Sequence, residues 1–235
     1  MRSEEVATAT FTRADQIEEL QQQRFATGVV PIDDLLEGGF ASSCISEIAG
    51  PTGSGKTLLA YKLLVSALNA FPDASALYID TMGAFSPKRL STLASGDVAL
   101  LERVKLSRTF DVYGLIEAVD EIRSIPNLAV VVIDTISNPL GIFMSKEQSL
   151  GHALMMSFSR SLSTLTRELN LCTILINVTV KSKGFTDSAF ADCTLKPALG
   201  PSWTFCTDLC LLLRGISVNF AIAELIRARD QELAI

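Results

Sequence analysis

Apolar runs of strand length alternate along the chain with segments whose apolar residues recur at helical spacing. The runs predicted as strands cover residues 44–48, 76–80, 104–107, 128–134, 172–178, 209–214 and 218–224. The segments predicted as helices cover residues 58–69, 87–93, 111–124 and 149–170. This alternation predicts an α/β fold, with a mostly parallel twisted sheet that carries helices on both faces.

Both ends of the chain depart from this alternation. The last two predicted strands leave no room for a crossover helix, so we expect an antiparallel C-terminal end. Before the first core strand, Thr12 and Asp15 have the spacing of a helix cap, and a short helix is expected around residues 32–36. We therefore divide the chain into a tail, helix and linker over residues 1–26 and a core over residues 27–235.

Composition narrows the class of protein. The chain has 235 residues, of which 48% are hydrophobic, enough for one sizeable core. No apolar run approaches the roughly 20 residues that span a bilayer, and the first residues do not resemble a secretory signal, so we expect a cytosolic or nuclear protein. The net charge of −6 argues against a free-standing non-specific DNA-binding protein. The 5 cysteines are expected to be reduced, and a zinc site is not expected.

The segment "GPTGSGKT" has the spacing of a phosphate-binding loop. It follows an apolar strand candidate and precedes a helix candidate, which is the context that such a loop requires. The predicted phosphate-binding residues are Gly50, Pro51, Thr52, Gly53, Ser54, Gly55, Lys56 and Thr57. Lys56 would reach the β- and γ-phosphates of a nucleotide, and Thr57 would bind its magnesium ion.

A phosphate loop works with an acid at the end of a buried strand, which supports the metal ion. Asp80 ends "ALYID" and Asp134 ends "LAVVVID", so the pattern alone leaves two candidates.

The order of several segments resembles the eukaryotic RecA-type recombinases and their paralogues along nearly the whole chain after Thr27. The segments are "TGVVPIDDLLEGGF", "LYIDTMGAFSPKRL", "VVVIDTIS", "LTRELNLCTILINVT" and "LKPALGPSWTFCTDLCLLL". The resemblance implies a RecA-like P-loop NTPase core that binds ATP and Mg²⁺ at a subunit boundary and acts in homologous recombination. It also implies that Asp134 supports magnesium through water and that Arg89 stacks on the adenine. A solvated helix residue is the alternative for Arg89.

Two positions depart from the pattern of the active recombinases. Where these carry a glutamate that orients the attacking water, this chain has Met82, and where they carry a glutamine that senses the γ-phosphate, it has Val178. Neither side chain can activate water. The resemblance therefore implies a site that holds ATP with weak or absent hydrolysis, in which no catalytic residue is assigned.

Two further segments have expected contacts. The polar loop over residues 181–196 corresponds to a DNA-binding loop of the family, with Lys181, Lys183 and Lys196 as phosphate contacts, and a plain solvated loop is the alternative. The segment "FTRA" matches the Phe-x-x-Ala element through which the recombinase joins its neighbours, so Phe11 and Ala14 are candidate partner contacts. A coincidental match in a tail is the alternative there.

Three functions follow as hypotheses. The first is a nuclear mediator subunit that joins another recombinase paralogue, binds ATP and supports the main recombinase on single-stranded DNA. The second is an autonomous DNA-dependent ATPase with strand-exchange activity, which Met82, Val178 and the acidic charge disfavour. The third is a small-molecule phosphotransferase, which the "KPALGPSW" segment disfavours.

Overall fold

The structure of the protein is a computed structural model. It describes residues 22–146, 148–181, 195–217 and 220–228. The helix cap at Thr12 and the contacts predicted for Phe11, Ala14 and Lys183 lie outside these residues.

Ten strands and seven α-helices make up the described part of the chain. The strands are β1 (Arg24–Phe25), β2 (Phe40–Ala41), β3 (Cys44–Gly50), β4 (Ser75–Asp80), β5 (Val104–Arg108), β6 (Leu128–Asp134), β7 (Cys172–Lys181), β8 (Leu195–Pro197), β9 (Leu209–Ser217) and β10 (Phe220–Ala228). The helices are α1 (Val30–Leu35), α2 (Lys56–Ala70), α3 (Pro87–Leu93), α4 (Val98–Glu102), α5 (Val112–Asp120), α6 (Ser137–Lys146) and α7 (Gln148–Glu168). Two 3-10 turns cover Glu121–Ser124 and Pro201–Phe205.

The main sheet has the strand order β10-β9-β3-β7-β6-β4-β5, with β8 attached to β7. Its central pairs are parallel, whereas β9 and β10 pair antiparallel. The predicted parallel sheet with an antiparallel C-terminal end is therefore confirmed. The small antiparallel pair of β7 and β8 was not predicted.

Side chains alternate between the two faces of the sheet and form a separate core on each. On β6, Val130 and Val132 pack in the core that contains α2, while Val131 and Ile133 pack in the core that contains residues of α5 and α7. A strand buried on both faces reads as a continuous apolar run, which is why "LAVVVI" is recognisable from sequence. Phe25, in the predicted linker, packs in the α2 core, and the division of the chain at residue 27 stays a prediction.

Local signals explain where the sequence prediction and the structure differ. The predicted helix over residues 111–124 is split into α5, which Asp111 caps by accepting a hydrogen bond from the Gly114 amide at 2.8 Å, and a 3-10 turn. Helix α6 was not predicted because it contains Pro139 and Gly141. Pro139 lies in the first turn, where the missing amide hydrogen costs no helical hydrogen bond.

Within the part of the chain that the structure describes, no helix is long and apolar enough to cross a membrane. The four cysteines found there, which are Cys44, Cys172, Cys206 and Cys210, form no disulfide. Burial raises the pKa of the Cys210 thiol well above its ordinary value, and the neighbouring Glu47 charge raises it further.

We expect Leu64→Ala to lower the free energy of unfolding by about 2–5 kcal/mol, because Leu64 is fully buried in the α2 core and its loss leaves a cavity. Leu58→Ala on the same helix is the matched control, since Leu58 is half-exposed and its truncation should cost no more than about 0.5 kcal/mol. Urea denaturation without nucleotide measures both. Equal losses in the two variants would contradict the assignment of the core.

Candidate nucleotide-binding site

The phosphate loop, residues 50–57, connects the end of β3 to the start of α2. Gly53 and Gly55 have φ angles of +82° and +97°, which side chains rarely adopt. At Gly50, an added Cβ would lie 2.4 Å from the Leu213 carbonyl oxygen. The strand, loop and helix predicted from the spacing are therefore present. At each of these three positions a side chain would be sterically unfavourable, which explains the glycine.

Lys56 is buried at the base of this loop. Its Nζ donates hydrogen bonds of 2.7 Å to the carbonyl oxygens of Gly50 and Pro51. Burial lowers the pKa of the Lys56 ammonium, and the nearby Asp134 charge opposes that shift. A desolvated ammonium held mainly by neutral carbonyl groups favours an anionic ligand, such as a phosphate, at this position.

Asp134 is the strand-end acid that meets the phosphate loop. Its Oδ2 accepts hydrogen bonds from Thr57 Oγ1 at 2.7 Å and from the Tyr78 hydroxyl at 2.6 Å. Burial raises the pKa of Asp134, while the hydrogen bonds from Tyr78 and Thr57 lower it in part. The structure thus brings Thr57 and Asp134 together, and their hard oxygen atoms suit Mg²⁺.

Asp80, the other candidate acid, has a different task. Its Oδ1 accepts hydrogen bonds from the amides of Met82 and Ala84, each at 3.1 Å, and its Oδ2 accepts one from the Phe85 amide at 3.0 Å. Asp80 therefore fixes the loop that follows β4. Of the two candidate acids, Asp134 is the one that contacts the phosphate loop, and its role in supporting a metal ion stays a prediction.

A cavity of about 760 Å³ opens in front of the phosphate loop. Its lining includes Lys56, Thr57 and Asp134, and Met82 and Val178 also line it. Asp134 is the one carboxylate among the described lining residues. The two departures noted in the sequence thus face the same space as the phosphate loop.

A second cavity of about 460 Å³ is also lined by Thr57. Its lining includes Tyr61 and Arg89, the latter exposed in the first turn of α3. This location is compatible with a base-stacking role for Arg89, which stays a prediction.

The candidate DNA-binding lysines are only partly described. Lys181 ends β7 opposite Leu195, and Lys196 lies opposite Val180 on β8. Because neighbouring residues of a strand point to opposite faces, Lys181 and Lys196 extend from different faces of this pair. They are close in space without forming a single basic surface.

Sequence reasoning missed Tyr78 and Asn138. Tyr78 carries one of the two hydrogen bonds to Asp134, and Asn138 lines the larger cavity while its Nδ2 donates to the Thr81 carbonyl at 3.0 Å. A tyrosine inside an apolar run is typical of a core residue, so no signal in the sequence singles it out.

The residues present fit a magnesium nucleotide. The buried Lys56 ammonium, the loop amides and the paired oxygens of Thr57 and Asp134 have the chemistry that a triphosphate and its cation require. When bound, the cation would neutralise phosphate charge and polarise the terminal phosphoryl group.

The sheet order and this site define the P-loop class of nucleotide-binding folds, in its RecA-like form. The family model described as Rad51 matches residues 19–228, and the chain belongs to the Rad51 family.

Similarity to individual proteins agrees with this family assignment. The chain is 30% identical over 221 residues to the DNA repair protein RAD51 homolog 4 of Bos taurus, covering 86% of this chain and 65% of that protein. It is 32% identical over 197 residues to the DNA repair protein rdl1 of Schizosaccharomyces pombe, covering 80% and 78%. The chain spans just under two thirds of the length of the bovine protein and of its Mus musculus counterpart, which is 27% identical.

We expect Lys56→Ala to remove the stabilisation by ATP and magnesium, which amounts to about 2.7 kcal/mol at 100 times Kd. Thr57→Ala should weaken it through loss of the cation contact. Lys62→Ala is the matched control, because Lys62 lies on the same helix outside both cavities. Thermal unfolding with and without nucleotide is the measurement, and an equal shift in wild type and Lys56→Ala would refute the assignment.

Proposed function

We propose that this protein is a Rad51 paralogue of the D type that acts in homologous-recombination DNA repair. It binds ATP and Mg²⁺, joins another recombinase paralogue, and supports the main recombinase on single-stranded DNA, with weak or absent ATP hydrolysis. The names of the relatives, which are DNA repair proteins, support the process, and their eukaryotic members support a nuclear location.

One observation carries the proposal. In the cavity in front of the phosphate loop, Met82 and Val178 occupy the positions at which the resemblance leads us to expect glutamate and glutamine. Met82 is 55% exposed and lines this cavity. Its thioether cannot take a proton from water, and the alkyl group of Val178 cannot hydrogen-bond a phosphate.

The described lining residues offer no substitute for the missing base. Asp134 already accepts hydrogen bonds from Thr57 and Tyr78, and it stands where a cation would bind. Charge stabilisation by Lys56 and the cation remains, and this alone sustains some phosphoryl transfer. Slow hydrolysis with retained binding is the behaviour that this chemistry supports.

DNA and partner contacts extend the proposal to segments outside the site. Lys181, Lys183 and Lys196 are proposed to contact phosphates of single-stranded DNA, and Phe11 and Ala14 are proposed to anchor the partner paralogue. The net charge of −6 supports a DNA contact that is local or shared with a partner.

An ATPase assay with and without single-stranded DNA tests the proposal. We expect turnover near background and little stimulation by DNA, alongside measurable ATP binding. Rapid hydrolysis that DNA stimulates would favour the alternative of an autonomous DNA-dependent ATPase. Transfer of phosphate to a small metabolite would favour a phosphotransferase.

Met82→Glu should raise basal single-turnover hydrolysis, because it places a carboxylate where a water can be oriented. A general base contributes typically ~100-fold or more, and the gain here should be smaller because Val178 still cannot bind the γ-phosphate. Met82→Gln is the matched control, since it has similar size without a base.

Met82→Glu combined with Val178→Gln should recover more than the sum of the single changes, because both groups act on one transition state. Single-turnover hydrolysis by the four proteins, alone and with a partner paralogue, measures this. Recombinase-like turnover in the wild type would show that Met82 does not limit the reaction.

Phe11→Glu should break the complex with a partner paralogue without unfolding the core, because a charge replaces an apolar anchor and is costly to desolvate. Co-purification of the two chains measures the effect, and circular dichroism reports on folding. Thr10→Glu is the control for added charge beside the same segment, because Thr10 lies outside the Phe-x-x-Ala element and the predicted helix cap. Undiminished capture of the partner by Phe11→Glu would exclude this anchor.

A further inference from the structure

A polar cluster is buried between the phosphate-loop strand and the C-terminal part of the chain. It consists of Glu47 on β3, Asn177 on β7, Trp203 in the 3-10 turn and Arg227 on β10, and we call it the Glu47 cluster. Glu47, Asn177 and Trp203 are each buried, with exposures of 0%, 0% and 1%. The nucleotide site described above makes no direct use of these side chains.

Glu47 is the centre of this cluster. Its Oε1 accepts hydrogen bonds from Asn177 Nδ2 at 2.6 Å and from Trp203 Nε1 at 2.9 Å. Its Oε2 lies 3.7 Å from a guanidinium nitrogen of Arg227, which reaches across from the edge of the sheet. A carboxylate buried this deeply would strongly destabilise the fold if these donors moved away. The contacts with Glu47 therefore also fix the positions of the donating side chains.

The Glu47 cluster is joined to the wall of the nucleotide cavity. Asn177 Nδ2 also lies 3.3 Å from the Ala198 carbonyl oxygen, and the Ala198 amide donates to the Val178 carbonyl at 2.9 Å. Val178, Ala198 and Leu199 line the cavity that contains Lys56 and Asp134. Trp203 follows Leu199 by four residues and anchors the far end of the same segment.

We expect this wall to affect one part of a bound nucleotide more than the rest. The loop amides cradle the α- and β-phosphates, whereas the lysine of such a loop extends to the β- and γ-phosphates. Val178, Ala198 and Leu199 are half-buried apolar residues that line the same cavity as Lys56, so beside a bound triphosphate they would limit water at its terminal phosphate and strengthen its attraction to the ammonium. Loosening the wall should therefore cost a triphosphate more affinity than a diphosphate.

We propose that Glu47, Asn177 and Trp203 are positioning residues that hold Val178, Ala198 and Leu199 as the cavity wall and so set the preference for ATP over ADP. This proposal rests on the proposed function, because it assumes that the site binds a nucleotide.

Trp203→Phe tests this with a conservative change, because it keeps an aromatic ring while it removes the Nε1 donor to Glu47 together with part of the indole volume. We expect Kd for ATP to rise about tenfold, as for loss of one buried hydrogen bond, and Kd for ADP to change less than about twofold. Titration calorimetry with each magnesium nucleotide measures the ratio. Asn177→Leu, which has a similar volume and removes both amide contacts, should shift the ratio at least as far.

Thr166→Val is the control for a general loss of stability. It removes a buried hydrogen bond of 2.8 Å between Thr166 and Thr173, residues that do not line the cavity. It should lower the melting temperature without moving the ATP-to-ADP ratio. An unchanged ratio in Trp203→Phe and Asn177→Leu, or an equal shift in Thr166→Val, would overturn the proposal.

Hydrogen exchange separates this proposal from the question of nucleotide binding. In Trp203→Phe without nucleotide, the Ala198 amide should exchange about tenfold faster, while the amides of β4 keep their wild-type rates. If the wild type binds neither nucleotide, the proposed function fails and the selectivity part of this proposal fails with it. An Ala198 amide that exchanges at the wild-type rate would overturn the positioning role itself.

Discussion

Parallel pairing of the central strands is the constraint on which the site depends. Gly50 pairs with Val178, and Asp80 pairs with Asp134, so β3, β4 and β6 end close together at the carboxyl-terminal edge of the sheet, where β7 continues to Lys181. Chain segments that are far apart in sequence leave the sheet at that edge and form the cavity there. The register of the strands therefore determines which positions of the chain can contact a nucleotide, and the residue type at each position determines only the chemistry there.

Burial changes the pKa values of two charged residues at this edge. It raises the pKa of Asp134 and lowers the pKa of Lys56, so each charged form is less stable than in water. Hydrogen bonds to loop carbonyls, Thr57 and Tyr78 offset part of that cost. A ligand that carries both phosphate groups and a cation would supply the missing counter-charges, which is why the proposed function keeps nucleotide binding without a base at residue 82.

Much of this arrangement can be predicted from sequence, because it depends on local patterns. The run before Asp134 and the spacing from Gly50 to Thr57 each contain their own signal of strand, loop and helix. The contacts of Asp80 and of Glu47 depend instead on segments that are distant in sequence. An acidic residue in an apolar run gives the same sequence pattern whether it lines the site or supports the structure. Pattern analysis of a single chain could not distinguish them.

The hydrogen bonds of Asp80 affect which substitutions the loop after β4 can tolerate. It shapes the loop after β4 through backbone amides, which every residue except proline provides. The path of that loop therefore does not depend on the identity of the side chain that projects from it into the cavity. Substitution of this side chain during evolution can therefore change the chemistry available in the cavity while the backbone around it is kept.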